Sequence, residues 1–588
     1  MACRWPALIV LACCAASARA DGGADMILVG GRILTVDAND RVAEALAIKD
    51  GRVMAVGTSA AIERLAGPGT GRIDLAGRTA TPGLIDAHAH FSAGGLLRLT
   101  HLDLSFPEVR SIADIVRLAG ERAQGSVEGD WILGRGWDEG KLAERRLPRA
   151  ADLDPVTGAR PAWLVQTSGH YGLANSAALA LAGITRATPD PPNGTIDRDA
   201  GGNPTGILKE AAMGLVARQL PKAGPDRMRE ALRIMSREFN RECMTGVKDP
   251  ALGSGLDFDP AGAMETWNAY RDVLAEGGLT VRVFVLWTSP KSLEDASKLI
   301  AMIAPYGKAA AGAGDDRLVS GGIKIFADGS GGARTAWLWQ DWNRDRTGID
   351  AGNRGYPALD PAVMRELIFL YHDAGLHIGT HAIGDRAIDT VVDDYAEALR
   401  RNPVRGLRHS IIHSNIPTEH ALVTMAALQR DFDAGYPESS PSFTWWFGDT
   451  YASNFGPERS LRLNPFATFG KRGIRWAGGS DYFVTPFPAR YGIWAAVARE
   501  PLLNTGGGDP FGRAEAVDAR TALRAFTIQA AHQMFMDGAT GSLEPGKRAD
   551  IAVWDTDFYE APTAALKEAA CQMTIFDGAV VYRREGFR

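Results

Sequence analysis

The stretch "TPGLIDAHAH", residues 81–90, places His88 and His90 two positions apart with Asp86 two positions before them. In an extended strand such positions share a side. Two imidazoles on one face can bind one divalent cation together. The plainer reading is a pair of structural histidines, and an H-x-H pattern alone does not decide between them. Other residues of the same chemical type recur downstream. His381 ends "LHIGTHA", His413 ends "HSIIHS", Asp481 ends "IRWAGGSD" and Lys324 lies within "GGIKIFADG". A lysine ammonium has no lone pair for a metal. Burial can depress its pKa and expose the neutral amine, which can add carbon dioxide to become a carbamate, an anionic oxygen ligand able to bridge two cations. The plainer reading of Lys324 is a buried ion pair with Asp328, and residue chemistry alone favours it. His377 shares a face with His381, and His409 with His413. If strand ends carry function, the later member of each pair is the ligand and the earlier one supports it. His101, His372 and His420 read as ordinary histidines. His170, in "TSGHYGLANS", could hydrogen-bond the substrate or a developing oxyanion; a loop histidine without a role is an equal reading.

These residues need a scaffold that brings them together. Eight apolar, β-rich segments can be picked out: "GLIDAHAH", "CMTGVKD", "TVRVFVLW", "GGIKIFADG", "LHIGTHA", "HSIIHS", "DFDAGYP" and "IRWAGGSD". Helical patterns such as "DRAIDTVVDDYAEALRRN" separate most of them. The alternation predicts an α/β fold, a (β/α)8 TIM-like barrel, in which functional residues gather at the C-terminal ends of the strands. The interval from about 92 to 240 is too long for a connection and reads as an insertion. Alternating runs broken by Gly-Gly, Asn-Asp and Asp-Gly open and close the chain. They predict a composite β-sandwich formed by the N- and C-terminal segments, over 21–80 and 541–588, around a barrel at 81–540. "GPGTGR" at 67–72 reads as a surface turn. "GSLEPGKR" lacks the Ser or Thr of a phosphate-binding loop and reads as a turn entering a strand.

The 588 residues are 45% hydrophobic and 23% charged, with a formal net charge of −6 and a pI near 6.1. That balance fits a globular chain and favours neither a nucleic acid nor an anionic membrane as partner. "MACRWPALIVLACCAASARA" has the n-region, h-region and A-x-A end of a signal peptide over 1–20. The protein is therefore expected to be exported, periplasmic or secreted, with a lipoprotein signal at Cys13 as the weaker alternative. No other segment reaches the ~20 apolar residues of a membrane helix, so no transmembrane helix is expected in the mature protein. Cleavage would leave Cys243 and Cys571, too few and too far apart for a disulfide framework or a thiolate cluster.

Taken together, "TPGLIDAHAH", "GGIKIFADGSGGARTA", "HIGTHAIGDRAID", "RHSIIHSN", "GGSD" and "GSLEPGKRADIAVWD" resemble the amidohydrolase superfamily, in its amidohydrolase-3 (YtcJ-like) branch. They run in family order over nearly the whole mature chain. The resemblance implies a metal-dependent hydrolase with two zinc ions. His88 and His90 would bind the more buried metal, carbamylated Lys324 would bridge the pair, and His381 and His413 would bind the second. Asp481 would contact the metals and act as general base toward a metal-activated water. Where related sequences continue "EHAQ" after the sixth strand, this chain has "IHSN", and "DAGYPESSPSFTWWFGD" after the seventh is also unusual. Both departures bear on the substrate. The expected activity is cleavage of a non-peptide C–N bond in a small-molecule amide, an N-substituted formamide or N-acyl amine. The alternatives are a mononuclear deaminase of a cyclic amine and a catalytically silent binding protein on the same fold. A homodimer is compatible with the sequence but not specified by it. Trp131, Trp137, Trp163, Phe443, Trp445, Trp446 and Phe447 read mainly as loop packing, with an aryl-binding pocket as the sharper alternative.

Overall fold

The computed structural model describes residues 23–127, 129–253, 259–307, 316–342 and 352–587; the leader expected over 1–20 lies outside them. Eight parallel strands follow one another in a single sheet. In chain order they are Leu84–Asp86, Met244–Leu252, Arg282–Thr288, Leu318–Phe326, His377–Ala382, Ser410–His413, Tyr436–Ser439 and Ala477–Gly478. The edges meet where Ala87 N–H donates to the Gly478 carbonyl at 3.0 Å and Asp481 N–H to that of His88 at 2.6 Å, so the sheet curls into the expected barrel. Burial on both faces explains the unbroken apolar runs: every residue of Arg282–Thr288 is buried. The seventh strand begins later than expected. In "DFDAGYP" Asp431 and Phe432 end the preceding helix, and Asp433 closes it in the left-handed conformation with φ 54°, which pushes the strand on to "YPES".

The helices between the strands are amphipathic for a plain reason. Asp385–Arg401 buries Ile388, Val391, Val392, Tyr395 and Leu399 on one face. Its Arg400 and Arg401 sit in the last turn, where the helix dipole favours cations. Pro361–Asp373 starts with Asp360, whose carboxylate accepts the Ala362 and Val363 N–H groups, and with Pro at the first helical position.

The long interval between the first two strands folds as a unit of its own. It carries a six-stranded sheet, from Leu102–Asp103 to Pro204–Glu210, with parallel and antiparallel pairs. A separate apolar cluster including Ile115, Trp137, Leu153, Leu164 and Leu173 lies against it. Thr167 Oγ–H donates to the Val484 carbonyl at 2.9 Å, tying this unit to the loop that follows the eighth barrel strand.

The two chain ends meet. One six-stranded sheet combines Arg32–Leu34, Val42–Ala43 and Thr79–Pro82 with Ile551–Trp554, Cys571–Phe576 and Ala579–Arg583. A four-stranded sheet is made from the N-terminal segment alone. Leu28, Ile33, Leu46, Val53, Ile551, Val553 and Ile575, drawn from both sheets, share one apolar cluster. "GPGTGR" is not a turn: it lies in the strand Ala66–Asp74, which pairs in parallel with Ala24–Val29. Cys243 and Cys571 form a disulfide with Cα atoms 5.5 Å apart. Sequence distance hid that pairing, because the two lie 328 positions apart and the chain between them wraps round the barrel and returns. Among the described residues no helix is long and apolar enough to cross a membrane.

Candidate active site

The first strand stops at Asp86, so His88 and His90 stand just beyond it. Their chain stays extended because both neighbours hold it. Ala89 N–H donates to the Lys248 carbonyl at 3.0 Å and His90 N–H to the Tyr482 carbonyl at 2.6 Å. Asp86 staples the first and eighth strands, accepting the His88 N–H, the Ser480 N–H and the Ser480 hydroxyl at 3.0, 3.0 and 2.6 Å. Gly479 is required there: a Cβ on it would meet His88 at 2.7 Å.

Asp481 Oδ1 lies 3.4 Å from His88 Nε2 and 3.2 Å from His90 Nε2. One ligand-type atom from each of His88, His90 and Asp481 falls within 4.8 Å of the others. Asp481 and His413 both adopt positive φ, 57° and 70°, a costly backbone for non-glycine residues that is typical of functional positions. His413 lies beside His88, with ring centres 5.3 Å apart, and against His381 at 4.6 Å. His381 turns Nε2 to the Gly329 carbonyl at 2.9 Å. That contact needs a proton on Nε2 and leaves Nδ1 with the lone pair.

Lys324 projects from the fourth strand and is buried. Its Nζ lies 4.7 Å from the centre of the Phe326 ring. The ion pair with Asp328 does not form. Asp328 instead accepts the backbone N–H groups of Trp337, Ile383 and Gly384 at 2.9, 3.0 and 2.8 Å, and its Oδ1 lies 3.4 Å from His381 Nε2. Burial brings the Lys324 amine down to about 8.

The electrostatics set the protonation states. Burial lowers the pKa values of His90, His381 and His413, so all three imidazoles are neutral. Burial works to raise Asp481, but the histidines gathered around it outweigh this and hold its pKa well below the ordinary carboxylate value. His88 Nδ1–H donates to Glu438 Oε1 at 2.6 Å, which fixes the tautomer and leaves the Nε2 lone pair toward Asp481. Glu438 also accepts from Lys248 Nζ at 2.6 Å and from Ser410 Oγ at 3.0 Å. Burial opposes its charge, and Lys248 and His88 more than offset this, keeping it ionised.

His170 reaches the same place from the insertion. Its ring centre is 5.5 Å from that of His381, and Nδ1 lies 3.0 Å from Glu210 Oε2. Burial opposes protonation of His170, but Glu210 outweighs it and raises the pKa above the ordinary histidine value. The structure thus brings His88, His90, Lys324, His381, His413, Asp481 and His170 to one end of the barrel. His377 and His409 lie apart from them: His377 Nδ1 bonds the Leu407 carbonyl, and His409 bonds His372. Of the aromatic residues singled out from the sequence, Phe443 stacks on His413 at 5.3 Å. Trp137 and Trp163 are core residues of the insertion, and Trp445 packs on Tyr491 and Trp494.

The donor set fits a divalent cation. His88 Nε2 and His413 Nδ1 are buried without a hydrogen-bond partner, a costly arrangement unless a ligand uses the lone pairs. Neutral imidazoles and an ionised carboxylate are the ligand forms. The chain belongs to the amidohydrolase family, whose model matches residues 72–582. It is 30% identical to Protein LONG AFTER FAR-RED 3 of Arabidopsis thaliana, over 91% of this chain and 88% of that one. It is 28% identical to N-substituted formamide deformylase of Arthrobacter pascens, over 96% and 99%. An uncharacterized metal-dependent hydrolase of Pyrococcus horikoshii superposes with a TM-score of 0.69 at 22% identity, covering 92% of this chain and 99% of that one.

Proposed function

We propose that this protein is a metal-dependent hydrolase of a linear, non-peptide amide, an N-substituted formamide or N-acyl amine. The observation that carries the reading is the convergence of His88, His90 and Asp481 on one point with His88 Nε2 unpartnered. The deformylase relative supports the choice of bond. His88, His90 and Asp481 would hold one ion; His381 and His413 would hold a second, with Lys324 as the carbamate between them. Zinc suits these ligands. Bound there, the metal supplies Lewis acidity and brings the pKa of water toward neutrality.

The chain's own residues do the rest. Glu438 keeps the His88 proton on Nδ1. Asp481 takes the proton of the attacking water at its carboxylate and returns it to the departing amine nitrogen. His170, charged through Glu210, donates to the substrate oxygen as negative charge develops. Phe443, stacked on His413, and the insertion limit water around that centre. The two terminal sheets act as one β-sandwich unit, supported by their shared apolar cluster. Export fits the Cys243–Cys571 disulfide, since such bonds persist in oxidising compartments.

The test is a panel of formamides, N-acyl amines and cyclic amines offered to wild type and Asp481→Asn. Amine release from linear amides, reduced by about 10²- to 10⁴-fold in the variant, is the expected result. Ammonia release from cyclic amines alone would replace this reading with a deaminase.

A further inference from the structure

Arg135 lies in the insertion strand Ile132–Trp137, and its guanidinium is short of partners. One Nη2–H donates to the Thr167 carbonyl at 3.2 Å, while the buried Nε–H has no acceptor. Among the described residues no carboxylate pairs with it. Its face lies on the Phe483 ring at 3.5 Å. Stacking occupies the face of the fork and leaves its edge for hydrogen bonds.

The position ties this group to the candidate active site on two sides. Phe483 itself stacks on His90, with ring centres 5.2 Å apart. Gly169, next to His170, approaches so closely that a Cβ on it would lie 3.2 Å from Arg135 Nη2. Arg135 therefore stands between the loop after Asp481 and the loop that carries His170.

Arg135 also lines a cavity of about 180 Å³ with Arg98, His101, Asp103, Tyr482 and Phe483. Two other charged side chains line it, and Asp103 keeps its negative charge there. Arg98 faces Glu238 at 3.6 Å, and Asp103 accepts the Ser105 N–H at 2.9 Å. Burial, with Arg135 and Arg122 nearby, brings His101 down to about 4, so it is neutral. Burial lowers Arg135 only to about 9, with Asp481 acting to raise it, so the guanidinium keeps its charge at neutral pH. The guanidinium is half-buried, its Nε–H lacks an acceptor and, among the described residues, no carboxylate is paired with it, a setting that favours an anion. Two parallel N–H groups on a planar fork match a carboxylate.

We propose that Arg135 is a specificity residue that selects amides carrying a carboxylate, holding that group in this cavity while the amide lies at His88, His90 and Asp481. This rests on the hydrolase reading above. The test compares matched pairs on the metal-loaded enzyme: N-acetylphenylalanine, in both enantiomers, against N-acetyl-2-phenylethylamine, which lacks only the carboxylate. Turnover and calorimetric binding are both read, for wild type, Arg135→Gln and Arg135→Lys. Wild type should favour a carboxylate member in both readouts. Arg135→Gln should weaken that member by about a hundredfold and the neutral one by less than about twofold, with Arg135→Lys recovering part of the loss. If neither amide is turned over but the carboxylate probe binds in an Arg135-dependent way, the anion site stands and the hydrolase reading falls. Equal handling of the two members by wild type, a comparison that needs no variant to fold, overturns the proposal. So does an equal loss for both in Arg135→Gln.

Discussion

Glu438 supports the candidate site from a position that no motif points to. Its two oxygens hold His88 Nδ1 and Lys248 Nζ at 2.6 Å each, in full burial. Glu438→Gln keeps the shape but removes the charge that fixes the imidazole and offsets the ammonium. Metal affinity should fall about 10- to 100-fold in a chelator competition. A purely structural role would instead lower the melting temperature and leave the affinity of the folded protein unchanged. His88, His90, His381, His413, Asp481 and Lys324 were legible in the sequence because each ends or lies within a recognisable strand segment. Glu438 was not: a lone glutamate carries no motif, and the strand holding it starts after a helix end that the pattern did not mark. Glu210 and Arg135 were hidden for a related reason. They belong to the insertion, and nothing local says that a separate sheet folds back over the barrel mouth.

At the scale of elements, the helix Ile528–Gln533 is fastened by charge to Asp433, which lies just before the seventh barrel strand. His532 Nδ1 lies 2.9 Å from Asp537 and Nε2 3.1 Å from Asp433, and Arg408 Nη1 lies 2.8 Å from Asp537. Burial alone would raise the Asp537 carboxyl, but the His532 hydrogen bond and the Arg408 guanidinium outweigh it and hold the pKa at about 2. A folded-state pKa depressed below the unfolded value of 3.8 stabilises the protein above that value. The contribution is lost as pH falls through the folded pKa. Partial exposure limits it to about 1–2 kcal/mol. Asp537→Asn should therefore lower the denaturant midpoint at pH 7. It should also flatten the fall in stability that wild type shows between about pH 4 and pH 2. An unchanged acid profile would remove this cluster from the account. The strands of the barrel were readable from apolar runs, yet "GPGTGR" misled, since glycines that normally mark a turn are here accommodated in an irregular strand.

For the whole molecule, the disulfide is the covalent link between the second barrel strand's entry and the C-terminal sheet. Closing a loop of this length restricts the unfolded chain, with a typical effect of about 2–5 kcal/mol. Reduction, or paired Cys243→Ser and Cys571→Ser substitution, should lower the apparent melting temperature and expose the terminal strands to protease first. An identical melt with and without reductant would show that barrel packing alone fixes the ends.

If the barrel mouth is a metal centre in which Lys324 takes part, the metal content of the purified protein shows it. Protein purified without chelators should carry two divalent ions per chain, falling on Lys324→Ala and lost on His88→Ala with His90→Ala. One ion per chain in both wild type and Lys324→Ala would contradict the bridging role of Lys324 and favour a one-metal enzyme. No ion in wild type after reconstitution would contradict the metal centre itself.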